Sequence, residues 1–482
     1  MAKYSAIFVA LLALCGCATR FENIALSAGK ENRERRTVDV SVPDRPVILV
    51  AISGGGSRAS ALGWNVLREL NTFTYSLPDQ SRRPLIDDVA IVSTVSGGSV
   101  IGAYFGLYGA EKLDDFDKKF LVPDNMRTLG WDAVNPLTWF RIVIRGSSRT
   151  SVVEKMFDDE LFDNAQFAQL NQPGKPFIIL NTTDMIGGET FALTPERFDD
   201  ICSDFDKTPI SVGVTASAAF PILLSPVAFQ NFSFNEGCKN RPIPPWISKR
   251  LNGKYAPYIN IEEFKRARFA NDLRHGPNSF RDIDYLYFLD GGLADNLGVH
   301  GLLEAIASPH AKSSILNDIN LGKIKKVVVI VVNARSDRPN PGYKSSSRPG
   351  LIGQIGSVTS VPIDANTASV NSQLDVLLEQ IKQAGLDAPP DAKFGKLRVY
   401  GTQIDFDQLR GTDERQHALR DRAKAIPTLW TIKEGDREVI REASQVLLHQ
   451  HPCFQRLLLD LKVDAAFIDA TFAKNGCPQS DD

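Results

Sequence analysis

The stretch Val89-Ala-Ile-Val-Ser-Thr-Val-Ser96-Gly-Gly98 decides the fold. Its apolar residues run without alternation, which is typical of a strand buried on both faces in a parallel sheet. Two glycines then open an apolar segment through Val100 to Tyr108, which we predict to be a helix. A serine on a sharp strand-to-helix turn has the setting of a nucleophile elbow. The alternative is a Gly-rich strand-to-helix turn with a structural serine. The glycines leave the amide of Gly97 free at the helix N-terminus, where it can donate to an oxyanion.

The same strand–turn–helix pattern recurs on both sides of this stretch. Further continuous apolar runs occur at 47–52, 177–180 and 326–332, and residues 59, 62, 66 and 70 form one apolar helical face. Strands that alternate with helices predict an α/β fold of three layers, α/β/α, around a mostly parallel central sheet. In such sheets ligands bind beyond the carboxyl ends of the strands, and both glycine turns lie at those ends.

The first glycine turn is Ser53-Gly-Gly-Gly56-Ser-Arg58. Three glycines let backbone amides point together into a cavity. A phosphate-binding P-loop needs a following Lys, which is absent, so an oxyanion hole framed by Gly54, Gly55 and Gly56 is the other chemistry that fits. Arg58 adds a fixed cation that could hold a lipid phosphate or support the anion. The alternative is a plain nucleotide-type glycine turn.

A third turn, Phe288-Leu-Asp290-Gly-Gly292, places an aspartate at the end of an apolar strand. A carboxylate desolvated at such a site has a raised pKa and becomes a usable base near neutral pH. It could take the proton of Ser96 directly. The alternatives are an ordinary Asp-Gly turn and a Ser–His–Asp triad that uses His300, which falls in the helix expected after this turn.

Together the three turns resemble the motifs of the patatin-like phospholipases, although Thr94 replaces the first glycine of the usual G-x-S-x-G elbow. The segments Asn181-Thr-Thr-Asp184 and Thr215-Ala-Ser-Ala-Ala-Phe-Pro221 also resemble that family, and the resemblance spans roughly residues 47–332. It implies a Ser–Asp dyad without a catalytic His and without a metal or organic cofactor.

Carried over by position, the resemblance makes Ser96 the nucleophile and Asp290 the base, at the carboxyl ends of the strands. Gly54, Gly55 and Gly56 would frame the oxyanion hole with the amide of Gly97. The form S-G-G-G-x-R is similar to the cytosolic phospholipase branch, which implies a functional role for Arg58.

The N-terminus has the features of an export signal. The apolar run Tyr4 to Leu14 is too short to span a bilayer and suits a secretory signal. It ends in Leu14-Cys-Gly-Cys17, which resembles a bacterial lipobox and predicts removal of residues 1–16 and lipidation of Cys17. Ala18 favours the outer membrane in a Gram-negative host. The alternative is an ordinary cleaved signal peptide, and residues 17–45 are predicted to be a tether.

Composition adds few constraints on partners. The net charge of −2 over 482 residues gives no overall attraction to nucleic acid or to an anionic membrane. The family resemblance implies a membrane lipid as the partner. The segment Leu129–Ile144 holds two Trp and is predicted to be either a membrane-facing lid or a buried helix. The insertion Lys239–Phe280 carries nine basic and three acidic residues, and faces either anionic headgroups or solvent. Four cysteines allow three pairings, of which Cys202–Cys238 with Cys453–Cys477 is the simplest.

These features predict one catalytic domain over 46–335 and a C-terminal extension, 336–482, packed on it. The resemblance to the patatin-like family implies hydrolysis of ester-linked fatty acids in lipids, of phospholipase A or lysophospholipase type, through an acyl-enzyme. Two alternatives remain at this point. One is an acyltransferase or general esterase with the same dyad, and the other is a non-catalytic envelope lipoprotein that uses the fold to bind lipid.

Overall fold

The computed structural model describes residues 19–32, 42, 45–127, 148–170, 172–221, 223–238, 241–251, 261–275, 283–307, 318–319, 323–336, 375, 378–379, 381, 397–410 and 413–479. The predicted signal segment, Cys17 and the segment Leu129–Ile144 lie outside these residues. None of the helices within them is long and apolar enough to cross a membrane.

The strands, in chain order, are β1 (Thr19–Arg20), β2 (Pro46–Ile52), β3 (Thr74–Ser76), β4 (Arg82–Pro84), β5 (Val89–Val95), β6 (Phe177–Asp184), β7 (Thr190–Leu193), β8 (Val227–Gln230), β9 (Tyr285–Asp290), β10 (Lys326–Asn333) and β11 (Arg398–Asp405). The α-helices are α1 (Gly56–Thr72), α2 (Gly97–Tyr108), α3 (Leu113–Phe116), α4 (Arg149–Phe157), α5 (Phe167–Leu170), α6 (Pro195–Asp200), α7 (Ile210–Ser217), α8 (Pro245–Leu251), α9 (Ile261–His275), α10 (Val299–Ala307), α11 (Glu414–Ala425), α12 (Glu434–His449), α13 (Pro452–Asp460) and α14 (Ala470–Gly476).

Five strands form a parallel block in the order β6-β5-β2-β10-β11. The four strands predicted from continuous apolar runs are neighbours in this block, which confirms the predicted mostly parallel α/β sheet. The physical reason for the pattern is visible in β2, where all seven residues are buried. Ile48, Val50 and Ile52 pack with α1 and α2 on one face, and the residues between them pack with α10 on the other.

The ends of β5 and β9 meet on one edge of β6. Asn181 of β6 pairs with both β5 and β7, and the next residue, Thr182, pairs with both β7 and Asp290 of β9. A strand has two edges, so β7 occupies one and β5 and β9 share the other. Because β9 is antiparallel to β6, its last residue, Asp290, arrives at the carboxyl end of β5, where Ser96 follows.

The N-terminal segment 19–32 packs on the folded body. β1 pairs in parallel with β8, and the backbone amide of Leu26 donates to the carbonyl of Cys202 at 2.9 Å. The side chains of Asn23 and Asn32 bond to groups of the body, including the carbonyls of Gln230 and Ser203 at 2.9 Å each. The prediction that residues 17–45 form a tether is therefore wrong for residues 19–32. Their polar side chains form hydrogen bonds with backbone groups of the body instead of with water.

Several charges of the basic insertion are paired within the protein. Three of its arginines form ion pairs with the acidic residues of helix α6: Arg241 with Asp199, Arg266 with Glu196, and Arg274 with Asp200. This part of the predicted positive surface is thus neutralised by the neighbouring helix and is not directed outward.

The C-terminal part, over residues 397–410 and 413–479, continues the same body. β11 extends the parallel block, and α12 packs on α1, where the amide of Gln445 donates to Glu69 at 2.7 Å. Disulfides join Cys202 to Cys238 and Cys453 to Cys477, which confirms the simplest pairing. Each closes a short loop of the chain and restricts the unfolded state.

Candidate active site

Ser96 sits in a strained turn between β5 and α2. Its backbone φ of 51° and ψ of −118° are uncommon for a residue with a side chain, and such strain costs roughly 1–3 kcal/mol. The surrounding structure holds it, because the backbone N–H of Ser96 donates to Ser217 Oγ at 2.9 Å. The turn directs the hydroxyl of Ser96 toward the end of β9.

The hydroxyl of Ser96 meets the carboxylate of Asp290. Ser96 Oγ donates to Asp290 Oδ2 at 2.7 Å, and the backbone N–H of Gly292 donates to Oδ1 at 2.8 Å. The carboxylate is thus oriented from both oxygens. His300 is not part of this pair, since its Nδ1 atom lies 3.4 Å from Thr190 Oγ1 and 3.7 Å from Asp295 Oδ2. The structure therefore places a Ser–Asp pair where the sequence predicted one.

The environment of Asp290 favours a neutral carboxyl group more than water does. Burial raises its pKa to about 6, while the hydrogen bonds from Gly292 and Ser96 act in the opposite direction. Asp290 is 5% exposed, which is the physical origin of the desolvation. A carboxylate with a pKa near 6 is ionised at neutral pH and has a higher proton affinity than a solvated aspartate, as a general base requires.

Close backbone contacts join the glycine loop to the elbow. A Cβ atom added at Gly97 would overlap the carbonyl of Gly56, and one added at Gly56 would overlap the carbonyl of Leu429. The backbone N–H of Ser57 also donates to the carbonyl of Leu429 at 2.8 Å. The loop is therefore held between the elbow and the C-terminal part of the chain.

Not every amide of the predicted oxyanion hole is free. The N–H of Gly54 donates to the carbonyl of Asn296 at 2.9 Å, which corrects its place among the predicted donors. Among the described residues, the backbone N–H groups of Gly55, Gly56 and Gly97 have no hydrogen-bond acceptor. Gly56 and Gly97 are the first residues of α1 and α2, where helical N–H groups lack intrahelical partners. These three amides are the candidate donors.

The departure at Thr94 is accommodated by the helix that follows. The hydroxyl of Thr94 lies 3.0 Å from the carbonyl of Ile179 and 3.1 Å from Ser99 Oγ. Its methyl group fills the space where Gly102 of α2 has no side chain. The bulk of Thr94 is thus matched by a glycine six residues after Ser96.

Sequence reasoning missed the role of Ser217. This residue belongs to the Thr215–Pro221 segment, whose resemblance to the family implies no role for the serine. Its hydroxyl accepts from the N–H of Ser96 and donates to the carbonyl of Asn181 at 2.6 Å. The side chain of Asn181 in turn donates to the carbonyl of Thr94 at 2.9 Å. A small hydroxyl residue at the end of an apolar helix was the available signal.

Arg58 does not point into the site. Its side chain is 2% exposed, and it donates through Nε to the carbonyl of Ala334 at 2.8 Å, through Nη1 to the carbonyl of Ile426, and through Nη2 to Thr428 Oγ1 at 3.1 Å. Nη2 also lies 3.2 Å from where a Cβ of Gly55 would be. The predicted direct contact with a substrate phosphate is therefore replaced by a position behind the glycine loop.

The comparison with protein families agrees with these motifs. The model of the patatin-like phospholipase family matches residues 50–303, which contain all three turns. No curated protein matches the sequence. Among the solved structures, 11 chains match, and one of them is human GIVD cytosolic phospholipase A2, with 10% sequence identity and a TM-score of 0.40. That match covers 87% of this chain and spans 63% of the length of the human one.

Proposed function

Because the chain belongs to the patatin-like phospholipase family, we propose that it is a lipid acyl hydrolase that works through Ser96 and Asp290. The observation that supports this proposal most directly is the 2.7 Å hydrogen bond from the Ser96 hydroxyl to the buried Asp290 carboxylate. A serine and a base at this distance can form an acyl-enzyme without a histidine.

The reaction proceeds in two halves. Ser96 Oγ attacks the ester carbonyl carbon while Asp290 Oδ2 accepts its proton, and the tetrahedral intermediate expels the alcohol, which takes that proton from Asp290. Water then attacks the acyl-enzyme and gives a proton to Asp290. Collapse of the second intermediate breaks the Ser96–acyl bond, releases the fatty acid and returns the proton to Ser96 Oγ. The dyad therefore ends in its starting state.

Backbone amides stabilise the negative charge that develops on the carbonyl oxygen. The donors are Gly97 at the start of α2 and Gly55 and Gly56 at the start of α1, where the helix dipoles also favour an anion. Arg58 supports this charge indirectly, because its guanidinium lies behind Gly55 and holds the loop against residues 426–428. A donor of this kind contributes roughly 10²- to 10³-fold to kcat.

The chain is further proposed to be exported and anchored in a bacterial membrane, with the outer membrane as its location. This part rests on the residues Leu14-Cys-Gly-Cys17 and on Ala18. Two disulfides in the body are consistent with an oxidising compartment. The substrate is then a membrane lipid with ester-linked acyl chains.

Active-site labelling tests the catalytic proposal. We expect a fluorophosphonate probe to label the purified protein at Ser96, and Ser96→Ala to lose both labelling and release of fatty acid from phospholipids and lysophospholipids. Ser99→Ala is the matched control, since Ser99 lies in the same turn but bonds to Ser217 and Thr94. Labelling that persists in Ser96→Ala would contradict the assignment, and products formed with an added alcohol would identify an acyltransferase instead.

The pH dependence follows from the raised pKa of Asp290. The carboxyl group must be ionised to accept the Ser96 proton, so we expect kcat/KM to be constant above pH 7 and to fall about tenfold per pH unit below pH 6. An uncharged short-chain ester removes substrate ionisation from the measurement. A profile that stays flat from pH 7 down to pH 5 would contradict Asp290 as the base.

A further inference from the structure

The position of β1 restricts how the body can sit on a membrane, and the restriction rests on the proposed lipidation of Cys17. Only Ala18 separates Cys17 from Thr19, the first residue of β1. Two trans peptide units span at most about 7 Å. Thr19 is fixed in turn, because its backbone N–H donates to the carbonyl of Pro226 at 2.8 Å and it pairs with Val227 of β8. A lipid on Cys17 is therefore joined to β1 by a very short segment of the chain.

The strand registers place Thr19 beside the active site. Thr19 pairs with Val227, Val227 pairs with Phe288 of β9, and Phe288 precedes the catalytic Asp290 by two residues. Two strand spacings and two residues correspond to roughly 12 Å between Thr19 and Asp290. Because the two peptide units between Cys17 and Thr19 add at most about 7 Å, the acylated cysteine would lie within about 20 Å of the dyad.

One loop connects these two points and exposes an apolar side chain. The backbone N–H of Asp290 donates to the carbonyl of Ala219 at 3.0 Å, where the loop begins, and Pro226 at its other end accepts from Thr19. Between them Leu223 is 60% exposed. The carboxyl end of the sheet thus presents an apolar residue between the anchor point and the dyad.

The turn between β6 and β7 adds two more apolar side chains at the carboxyl end of the sheet. Met185 is 46% exposed and Ile186 is 75% exposed. The backbone N–H of Met185 donates to the carbonyl of Tyr287, which pairs with Ala228 of β8, and Ala228 pairs with Arg20 of β1. The backbone at Met185, in β9, in β8 and in β1 therefore forms one row across the sheet, and this row ends at β1.

The opposite end of the sheet is out of reach. β6 has eight residues, which corresponds to about 26 Å between the two ends of the block. A segment of about 7 Å between Cys17 and Thr19 cannot bring the amino ends of the strands to the membrane while Thr19 stays paired. The body is therefore held with its active-site end toward the leaflet that carries the lipid.

We propose that the surface formed by Met185, Ile186 and Leu223 docks on the leaflet in which Cys17 is anchored, and that the enzyme cleaves lipids of that same membrane. The three apolar side chains enter the interface beside the dyad. Substrate then reaches Ser96 laterally, from the leaflet, and lipids of an opposing membrane lie on the far side of the body.

Lipidated protein reconstituted in vesicles tests this proposal. Its own vesicles carry one fluorescent phospholipid, and protein-free vesicles carry another, so that hydrolysis in the two populations is read separately. We expect hydrolysis in the protein's own vesicles to exceed that in the others at least tenfold. A flexible linker of 20 Gly/Ser residues between Ala18 and Thr19, with a mean span of roughly 25 Å, is expected to reduce this ratio at least tenfold. The same linker added after Asp482 is the matched control. A ratio that the first linker leaves unchanged would overturn the proposal.

A second measurement is independent of catalysis. In a Ser96→Ala background, a fluorescent label on Leu223→Cys is expected to be quenched by nitroxide-bearing lipids, and a label on Gln172→Cys is not. Gln172 is exposed and precedes β6, at the opposite end of the sheet. Equal quenching at both positions, no quenching at residue 223, or a mature Cys17 without lipid by mass spectrometry would each overturn the proposed orientation. Failure of the catalytic proposal would show differently, as no hydrolysis of micellar esters by protein that begins at Ala18.

Discussion

Replacing Asp290 by Asn is expected to lower kcat by roughly 10²- to 10⁴-fold, as removal of a general base does. Asn keeps an oxygen that accepts the N–H of Gly292, so the turn retains its bond of 2.8 Å. Its amide nitrogen would then face Ser96 Oγ in place of Oδ2, and would donate to the hydroxyl instead of accepting its proton. The nucleophile stays in place and loses its activation. Steady-state hydrolysis of a short ester by the purified variant measures the loss.

Asp184→Asn is the control for this substitution. Asp184 is also buried at the end of a strand of the same sheet, and burial raises its pKa too. Its Oδ2 accepts from the N–H of Gly187, a bond that Asn can keep. We expect this variant to retain activity within a few fold. Substantial hydrolysis by Asp290→Asn, or an equal loss in Asp184→Asn, would show that the Asp290 carboxylate is not the base.

The effect of Asp290→Asn on the stability of the fold has a definite sign. Burial raises the pKa of Asp290 to about 6 in the folded state, above its ordinary value of 3.8. The folded state therefore binds more protons than the unfolded state between these two values, and stability falls as the pH rises through that range. At pH 7 the full cost of ionising the buried carboxyl is present. Asn has no such cost, so the inactive variant is expected to melt at the same temperature as the parent protein or higher.

The positions of the dyad could be predicted from sequence because each depends on a local pattern. A buried parallel strand reads as an unbroken apolar run, and a tight turn after it needs glycine. Ser96 follows such a strand, and Asp290 is the last residue of the antiparallel strand β9; both lie at the end of the sheet where ligands bind. Their separation of 194 residues was irrelevant to the prediction, since the topology of the sheet brings the two strand ends together.

Features that depend on contacts between distant segments could not be predicted in this way. The sequence favours Arg58 as a substrate ligand because its partners, Ile426 and Thr428, lie more than 360 residues away, and no sequence pattern indicates that Arg58 contacts them. The hydrogen bond from the amide of Gly54 to Asn296 could not be predicted for the same reason, because the two residues are distant in the sequence. The strand β1 has two residues, too few for a periodic signal, and a polar context around it favoured the prediction of a tether.

Gly97→Ala is expected to reduce kcat by at least 10²-fold and to destabilise the fold. The added methyl group would overlap the backbone carbonyl of Gly56, which cannot rotate away as a flexible side chain could. The loop that carries Gly55 and Gly56 must then move from the elbow, or α2 must move from the loop. Either shift separates the amides proposed to share the oxyanion, and the loss of one such donor costs roughly 2.7–4 kcal/mol of transition-state stabilisation.

Gly435→Ala distinguishes this steric effect from a general intolerance of the fold. Gly435 lies in the first turn of α12, and a Cβ added there meets no atom within 4 Å. Alanine is the better helix former by about 1 kcal/mol, so this variant is expected to be fully active and slightly more stable. Kinetics and thermal melting of both variants provide the comparison. If Gly97→Ala kept the parent kcat, the elbow and the glycine loop would not act as one rigid unit, and the oxyanion site would have to be built from other donors.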